Sequence, residues 1–295
     1  RPELIGGVRQ EENEPAPDAL GLDVRANDPT GDSGSSRTQS ETSVAVNETT
    51  GTLCTGYNDS FHGVTQGQGY TGWSRSIDGG VSWTDRGALG STSFGDPAMV
   101  WRKLDGKFYF AALSSAGLGI WRSDDDCQTF TFVATIASGS DDKELMAVDN
   151  NPASPFYGRL YVAWTDFGSG ARIYSTFSSN AGATWSAQLA LSAAGVDVQG
   201  AWPTVGPNGD VWVAWLRWNP WPSGPMDIEV ARSTNGGVSY ALVANPMTGG
   251  GNPQDAAATS ACGMCGSTAI DELRDRIVPI PTGAPWPVAL LAAVP

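Results

Sequence analysis

The chain contains a single histidine, His62, so any Ser-His-Asp mechanism would have to use it. Its imidazole has an ordinary pKa near neutrality, which suits a general base. His62 stands in a stretch rich in Gly, Gln and Ser, which is also typical of an exposed histidine without a catalytic role. With one histidine, a zinc site built on several histidines is excluded.

Two tryptophans lie in a proline-rich stretch that runs from Arg217 to Asp227. Trp218 and Trp221, flanked by prolines, would form a rigid platform on which sugar rings stack, while a carboxylate such as Asp227 orients the hydroxyl groups. The alternative is that both rings pack against a neighbouring element. Aromatic loops on rigid scaffolds often carry binding sites, so we take these three residues as ligand-binding candidates.

Further carboxylates lie in stretches that read as loops or connections. Asp96 and Asp166 are candidate ligand contacts on the same predicted face as His62. The acidic run Asp141, Asp142 and Glu144 offers the oxygen ligands that calcium prefers, although a solvated acidic loop has the same composition. Apart from this calcium candidate, the sequence predicts no cofactor.

The four cysteines are Cys54, Cys127, Cys262 and Cys265, an even number that suits an oxidising compartment. The Cys262-Gly-Met-Cys265 stretch is compatible with a short disulfide loop, half of a metal knuckle or a redox pair. Because neither a second Cys-x-x-Cys nor a βα redox context accompanies it, we favour a disulfide. A Cys54–Cys127 bridge would join the first repeat to the second, but the sequence leaves the connectivity open.

These side chains need a scaffold, and the sequence provides a repeat. One unit, Ser-x-Asp/Asn-x-Gly-x-Ser/Thr-aromatic, occurs four times, with Cys127 replacing the glycine once. Asp or Asn accepts backbone N–H bonds across a tight turn, glycine permits positive φ, and the aromatic ring anchors the turn in the core. We therefore predict four structural hairpin turns, formed by Ser76, Asp78, Gly80 and Trp83; Ser123, Asp125, Thr129 and Phe130; Ser178, Asn180, Gly182 and Trp185; and Ser233, Asn235, Gly237 and Tyr240.

Two strand patterns precede each turn, as in the apolar run Leu160 to Trp164, and the units recur at spacings of 47, 55 and 55 residues. Four-stranded units of this size are typical of propeller blades. We predict an all-β fold, a β-propeller of four-stranded antiparallel blades with these turns, over residues 41–295. The predicted blades cover about residues 42–86, 95–135, 144–190 and 200–243, with a partial fifth at 277–295.

Residues 1–40 mix acidic side chains with Pro, Gly and Ser, and they contain few apolar residues to bury. We predict an extended N-terminal arm that either wraps its own domain or lies on a neighbouring molecule. If this arm or the C-terminal segment 277–295 pairs with an edge strand of another copy, the protein is a self-assembling subunit.

The net charge is −14, and the isoelectric point is near 4.3. Such a surface repels nucleic acid and anionic membranes, so we expect neither as a partner. No apolar run is long enough to span a membrane. Together with the cysteines, this composition predicts a secreted, extracellular or cell-surface protein.

Over residues 41–243, the four turns in register with strand pairs resemble the Asp-box, or BNR, repeats of the sialidase-like propeller superfamily. The stretch from Asp23 to Asn47 is similar to the opening of uncharacterised secreted members. The resemblance implies a propeller whose Asp boxes are structural turns away from the ligand face. Arg75, Arg122 and Arg232 precede three boxes, and at this position we expect packing rather than the sialidase carboxylate clamp.

The resemblance also implies a tyrosine nucleophile with a glutamate partner and an acidic acid/base residue, but the Phe/Tyr-Arg-Ile-Pro sequence of many sialidases is missing. We therefore expect a non-catalytic extracellular propeller that acts in glycan binding, adhesion or self-assembly into a surface layer or filament. The alternative is a sialidase-like glycoside hydrolase or lyase acting on extracellular glycans. It requires carboxylates such as Asp96, Asp142, Glu144 and Asp227 to converge at the channel mouth.

Overall fold

The computed structural model describes residues 24–221 and 224–243, which fold mainly as β-strands. The described residues form four sheets, each of four antiparallel strands. The first two sheets contain β1 (Gln39–Val46), β2 (Leu53–Asp59), β3 (Thr71–Ser76), β4 (Thr84–Ala88), β5 (Ser93–Arg102), β6 (Lys107–Ser114), β7 (Gly117–Ser123) and β8 (Thr131–Ala137). The other two contain β9 (Asp141–Val148), β10 (Leu160–Asp166), β11 (Arg172–Ser178), β12 (Leu189–Ala190), β13 (Asp197–Val205), β14 (Val211–Trp218), β15 (Met226–Ser233) and β16 (Ala241–Val243).

Strands within each sheet follow chain order, and the first strand lies innermost. This is shown by contacts of β1 with β5, β5 with β9, and β9 with β13. The fold is therefore an all-β propeller of four-stranded antiparallel blades, as predicted. The innermost strands begin earlier than the predicted blades, at Gln39, Ser93, Asp141 and Asp197, because their polar opening residues look like connections in the sequence.

Apolar side chains that alternate along the strands fill the interfaces between neighbouring blades. Each buried aromatic side chain contributes roughly 2–3 kcal/mol by its removal from water. Gly56 allows blades 1 and 2 to approach, since a Cβ there would lie 2.4 Å from the ring of Phe110. Representative core residues are Trp73 and Trp121 between blades 1 and 2, Ile120 and Trp164 between blades 2 and 3, and Ala163 and Trp215 between blades 3 and 4.

The four turns between the third and fourth strands repeat one hydrogen-bond pattern. In each turn, the hydroxyl of the first serine donates to the side chain of the Asp or Asn. The same hydroxyl accepts the backbone N–H of the residue two positions after that Asp or Asn, which is a glycine in three turns and Cys127 in the fourth; all these distances are 2.8–3.0 Å. The same Asp or Asn oxygen accepts the backbone N–H of the second hydroxyl residue. We call these turns the box turns, each named by its blade.

Each of blades 1, 2 and 3 contacts the box turn of the next blade through one residue of its second strand. Tyr109 of β6 lies against the box turn of blade 3, where a Cβ on Gly182 would be 3.6 Å from its ring. Tyr161 of β10 lies against the box turn of blade 4, where a Cβ on Gly237 would be 3.2 Å from its ring. In blade 1 this contact is covalent, because Cys54 forms a disulfide with Cys127 of the blade 2 turn. This bridge between the first two blades is the pairing that the sequence allowed without fixing the connectivity.

The described part of the N-terminal arm lies on blade 1. The backbone N–H of Asp28 donates to Asp85 at 2.7 Å, and that of Thr38 donates to the Ser60 hydroxyl at 2.7 Å. Since β1 begins at Gln39, the arm predicted for residues 1–40 includes the first two residues of that strand. The predicted segment 277–295 and the cysteines 262 and 265 lie outside the described residues. In the part of the chain that the structure describes, no helix is long and apolar enough to cross a membrane.

Candidate functional site

The antiparallel blades place the candidate residues on one face of the propeller. The box turns lie at the end where first strands finish and second strands begin, because Leu53 pairs with both Val46 and Ser76. The opposite end, which we call the upper face, carries the starts of the first strands and the loops after the second strands. Asp96, Asp166 and Trp218 lie at this end.

The two tryptophans of the proline-rich loop line an open cleft of about 300 Å³ on the upper face. Their rings are perpendicular, with centroids 4.9 Å apart. Trp221 remains 58% exposed, so among the described residues no neighbouring blade covers its ring. Phe167 from the blade 3 loop is 46% exposed and lines the same cleft. The full lining is Phe167, Ala171, Asp197, Val198, Gln199, Trp218 and Trp221.

Polar groups from β13 hold and flank this aromatic surface. The carboxylate of Asp197 accepts the backbone N–H of Trp221 at 2.9 Å, which fixes the loop against the start of the strand. The amide of Gln199 donates to Asp142 at 3.0 Å, joining the cleft to blade 3. Neither residue was predicted from the sequence, because the polar start of β13 looks like a connection between blades.

Two carboxylates of blade 3 stand beside Phe167. Asp141 accepts the indole N–H of Trp164 at 2.8 Å, and Asp166 accepts the backbone N–H of Gly168 at 2.8 Å. Burial, followed by the negative charge of Asp166, raises the pKa of Asp141. This side of the cleft is therefore acidic.

A second group, the axial cluster, consists of Glu41, Asp96, Lys143 and Glu144 on three innermost strands. The Lys143 ammonium lies 2.5 Å from Glu41 and 3.2 Å from Asp96. Glu41, Asp96 and Lys143 each have φ of 53° at an irregularity in strand pairing, so the same local distortion turns all three towards one another. A hydrogen bond with Asp96, and then burial, raises the pKa of Glu41. Sequence reasoning missed Glu41, which it placed at the edge of the arm.

Glu144 is the buried member of the axial cluster. It is 1% exposed, and within the described residues neither carboxyl oxygen has a hydrogen-bond partner. Burial raises its pKa well above the ordinary value, and the negative charges of Asp96 and Asp142 add to this effect. Its burial therefore favours the neutral, protonated form of the Glu144 carboxyl group.

The acidic run of blade 3 does not assemble the predicted calcium site. No group of three or more carboxylate, histidine or cysteine side chains among the described residues is arranged to hold a metal ion. Asp141 bonds Trp164, Asp142 bonds Gln199, and Glu144 is buried without a partner. Successive side chains of a strand point to opposite faces, which separates these carboxylates.

His62 lies at the outer edge of blade 1, away from the axial cluster. It sits in a π-helical turn, Phe61–Thr65, and its Nδ1 is 2.6 Å from the buried carboxylate of Asp59. Its Nε2 faces Gly87 on β4, the outermost strand. Asp227, on β15, pairs in register with Arg217 of β14 and is not part of the cleft lining. The structure therefore brings neither residue to the cleft.

Each of the three arginines that precede box turns is paired with an aspartate of the propeller. Arg75 donates to the backbone oxygen of Asp126 at 2.6 Å and to its carboxylate at 2.9 Å. Arg122 donates to Asp124, and Arg232 pairs with Asp210. They serve separate blades and form no shared carboxylate clamp.

Comparison with solved structures identifies the fold. The leech intramolecular trans-sialidase, complexed with 2,7-anhydro-Neu5Ac, matches with a TM-score of 0.54 and 12% sequence identity, covering 78% of this chain and 54% of its own. This comparison shows that the chain has the propeller fold of sialidase-like proteins. The chain spans about half the length of that structure.

Two further solved structures match with lower TM-scores. An endo-arabinase from Bacteroides thetaiotaomicron has a TM-score of 0.48 and 16% identity, covering 71% of this chain and 81% of its own. A protein of unknown function from Dyadobacter fermentans has a TM-score of 0.49 and 18% identity, covering 74% and 70%. No protein-family model matches the chain, and neither does any curated protein sequence.

Proposed function

We propose that the protein is a non-catalytic extracellular propeller that binds a neutral glycan in the upper-face cleft. The observation that carries this proposal is the perpendicular pair Trp218 and Trp221, with Trp221 exposed, in a cleft of about 300 Å³ that Phe167 also lines. Aromatic faces of this kind stack on the C–H groups of a sugar ring, which are weakly positive.

The polar groups at the edge of the cleft suit the hydroxyl groups of such a ligand. Gln199 offers an amide and Asp197 a carboxylate, and each already has one fixed partner that orients it. A few oriented polar groups in a mainly apolar pocket provide specificity at small cost in ordering. A rigid aromatic wall with two polar anchors is sufficient for recognising one or two sugar residues.

The charges near the cleft favour a neutral sugar over an anionic one. Asp197 lines the cleft, and the paired Asp141 and Asp166 lie on the blade 3 strands next to Phe167. The nearby arginines have partners: Arg172 donates to the Ser192 carbonyl, and Arg217 pairs with Glu229. A sialic acid carboxylate would approach this acidic wall, and the whole chain with its charge of −14, without a free cation in the cleft lining to receive it.

Binding of the full chain to an array of neutral and sialylated oligosaccharides tests this proposal. We expect retention on a subset of neutral glycans, and loss of that signal in W221A. The matched control is I77A, which removes a side chain that is 68% exposed on the box-turn face. Binding confined to sialylated glycans, or equal signals for W221A and wild type, would reject it.

A glycoside hydrolase or lyase is the second candidate, because carboxylates do meet at the propeller axis. A protonated Glu144 with Asp96 or Asp142 would supply the acid and base that such a reaction needs. Against it, Glu144 is 1% exposed and Lys143 neutralises both Glu41 and Asp96. These groups are sealed or paired rather than open to a substrate, so the binding function leads.

Product release from the glycans retained on the array separates the two functions. We expect no reducing sugar to be released by the wild type. Turnover that disappears in E144Q, while binding persists, would establish the hydrolase instead.

We further propose that the box turns are Asp boxes and that the protein is exported, since a disulfide between blades suits an oxidising compartment. Self-assembly through another copy stays a prediction. The described arm residues lie on their own blade, which counts against a role for them in assembly. Light scattering of the full chain tests this, because a monomer at all concentrations would rule out assembly.

A further inference from the structure

The far face of blade 4 is an apolar sheet face without a neighbouring blade among the described residues. Cores fill the interfaces of blades 1 to 4, but no such core lies beyond blade 4 within the described ranges. By the register of the strands, Trp202, Ala214 and Val230 share this face, with Ile228 and Val243 beside them. Trp202 is 60% exposed, Ile228 44% and Val243 38%.

Equivalent positions in the other blades show what such a face normally contacts. Tyr109 and Tyr161, at matching places in β6 and β10, are completely buried because the box turn of the next blade covers them. Trp212 holds this place in β14, and Arg232 of its own blade stacks on its ring at 4.9 Å. In the part of the chain that the structure describes, no further box turn follows it. The face is therefore built as a blade interface, and a partner is needed to complete it.

We propose that the C-terminal segment 277–295 of the same chain packs on this face and covers Trp202, Ile228 and Val243. The segment contains no charged residue and includes the apolar run Val288 to Val294, so its composition matches the face. Thirty-three residues separate it from Val243, the end of β16 on this same blade, and at roughly 3.3 Å per residue they reach across a blade many times over.

A second copy of the chain is the competing occupant, and charge disfavours it. Two copies would each bring a net charge of −14 to the contact, whereas the uncharged segment brings none. The segment is also held at high local concentration by its covalent link to blade 4, which an independent copy is not.

Hydroxyl-radical footprinting of the full chain with mass spectrometry tests the proposal. In the wild type we expect Trp202 and Ile228 to be protected, although Phe94 and Phe167, with exposures of 48% and 46%, react. In the full-length L290D/L291D variant we expect the oxidation of Trp202 and Ile228 to rise. The control I77D, on the box-turn face, should leave their oxidation at the wild-type level.

Each other outcome overturns the proposal. If Trp202 is as reactive in the wild type as in L290D/L291D, the segment does not cover it. If protection of Trp202 increases with protein concentration and light scattering reports a dimer, a second copy occupies the face. Neither result bears on the glycan cleft, because Trp218 and Trp221 can be followed separately in the same footprint.

Discussion

Cys127 occupies, in the box turn of blade 2, the place that glycine holds in the other three turns, and its sulfur is bonded to Cys54 on blade 1. Cys54 in turn stands where blades 2 and 3 have Tyr109 and Tyr161. An aromatic ring packed on a glycine and a disulfide thus make the same contact between the second strand of one blade and the box turn of the next. The disulfide is the one that requires an oxidising compartment.

Removing the Cys54–Cys127 bridge should weaken the propeller. We expect C54A/C127A to unfold with a free energy lower by about 2–4 kcal/mol, because the bridge restricts the unfolded chain. Chemical denaturation with and without reductant measures this, and the variant should no longer respond to reductant. The replacement C54Y/C127G, which copies the aromatic–glycine contact, should recover part of the loss. Equal midpoints for C54A/C127A and the wild type would refute the contribution of this bridge.

Glu144 should make stability depend on pH. Its pKa in the folded protein is raised well above the usual 4.5 by burial, so the folded state holds a proton that the unfolded chain releases. The contribution of Glu144 to the unfolding free energy is therefore fully present below about pH 4.5. It falls as the pH rises towards the folded-state pKa, by at most about 1.4 kcal/mol per pH unit. E144Q should lack this decline. Parallel pH profiles of the unfolding free energy for both proteins would argue against a buried protonated acid.

Lys143 should stabilise the axial cluster at neutral pH. K143M leaves Glu41 facing Asp96 without a cation, and we expect a loss of about 1 kcal/mol, since Lys143 is 37% exposed and water screens the pair. The loss should shrink as the pH is lowered, because the raised pKa of Glu41 lets it become protonated first. The control K103M breaks an exposed pair with Glu48 and should change stability little. A loss of equal size at pH 4 and pH 7 would contradict this electrostatic account.

Asp197 should support binding without being essential for folding. D197A removes the acceptor of the Trp221 N–H, so the loop loses a fixed contact; we expect affinity for the array's strongest neutral glycan to fall by about fivefold, or about 1 kcal/mol. D197N keeps an acceptor oxygen at this place and should retain most of the affinity. Calorimetric titration of both variants distinguishes them, and unchanged affinity in D197A would show that the loop is held by other contacts.

The propeller could be predicted from the sequence because its information is local and repeated. The box turn at Ser233 to Tyr240 carries hydroxyl, amide and glycine residues at fixed places, and the structure shows the hydrogen bonds those residues can make. The starts of innermost strands could not be predicted in this way. Asp141 and Asp197 are the first residues of their strands, at the upper-face end, so their sequence looks like a loop although the backbone is already a strand.

The candidate site was only partly predictable for the same reason. Trp218 and Trp221 were found because two tryptophans among prolines are distinctive in sequence. Gln199 and Glu41 were missed, because their importance comes from contacts with Asp142 and Lys143, which lie about a blade or more away along the chain. His62 shows the opposite error, since a rare residue drew attention although its partner is the structural carboxylate of Asp59.

Calorimetric titration of the full chain and of W221A with the neutral oligosaccharide selected on the array tests the central claim most directly. Trp221 is 58% exposed and lines the cleft, so we expect its truncation to lower affinity by at least about tenfold, with the thermal unfolding of the protein unchanged. I77A should bind as the wild type does. An affinity in W221A equal to that of the wild type would place the glycan elsewhere and contradict the proposed function of the cleft.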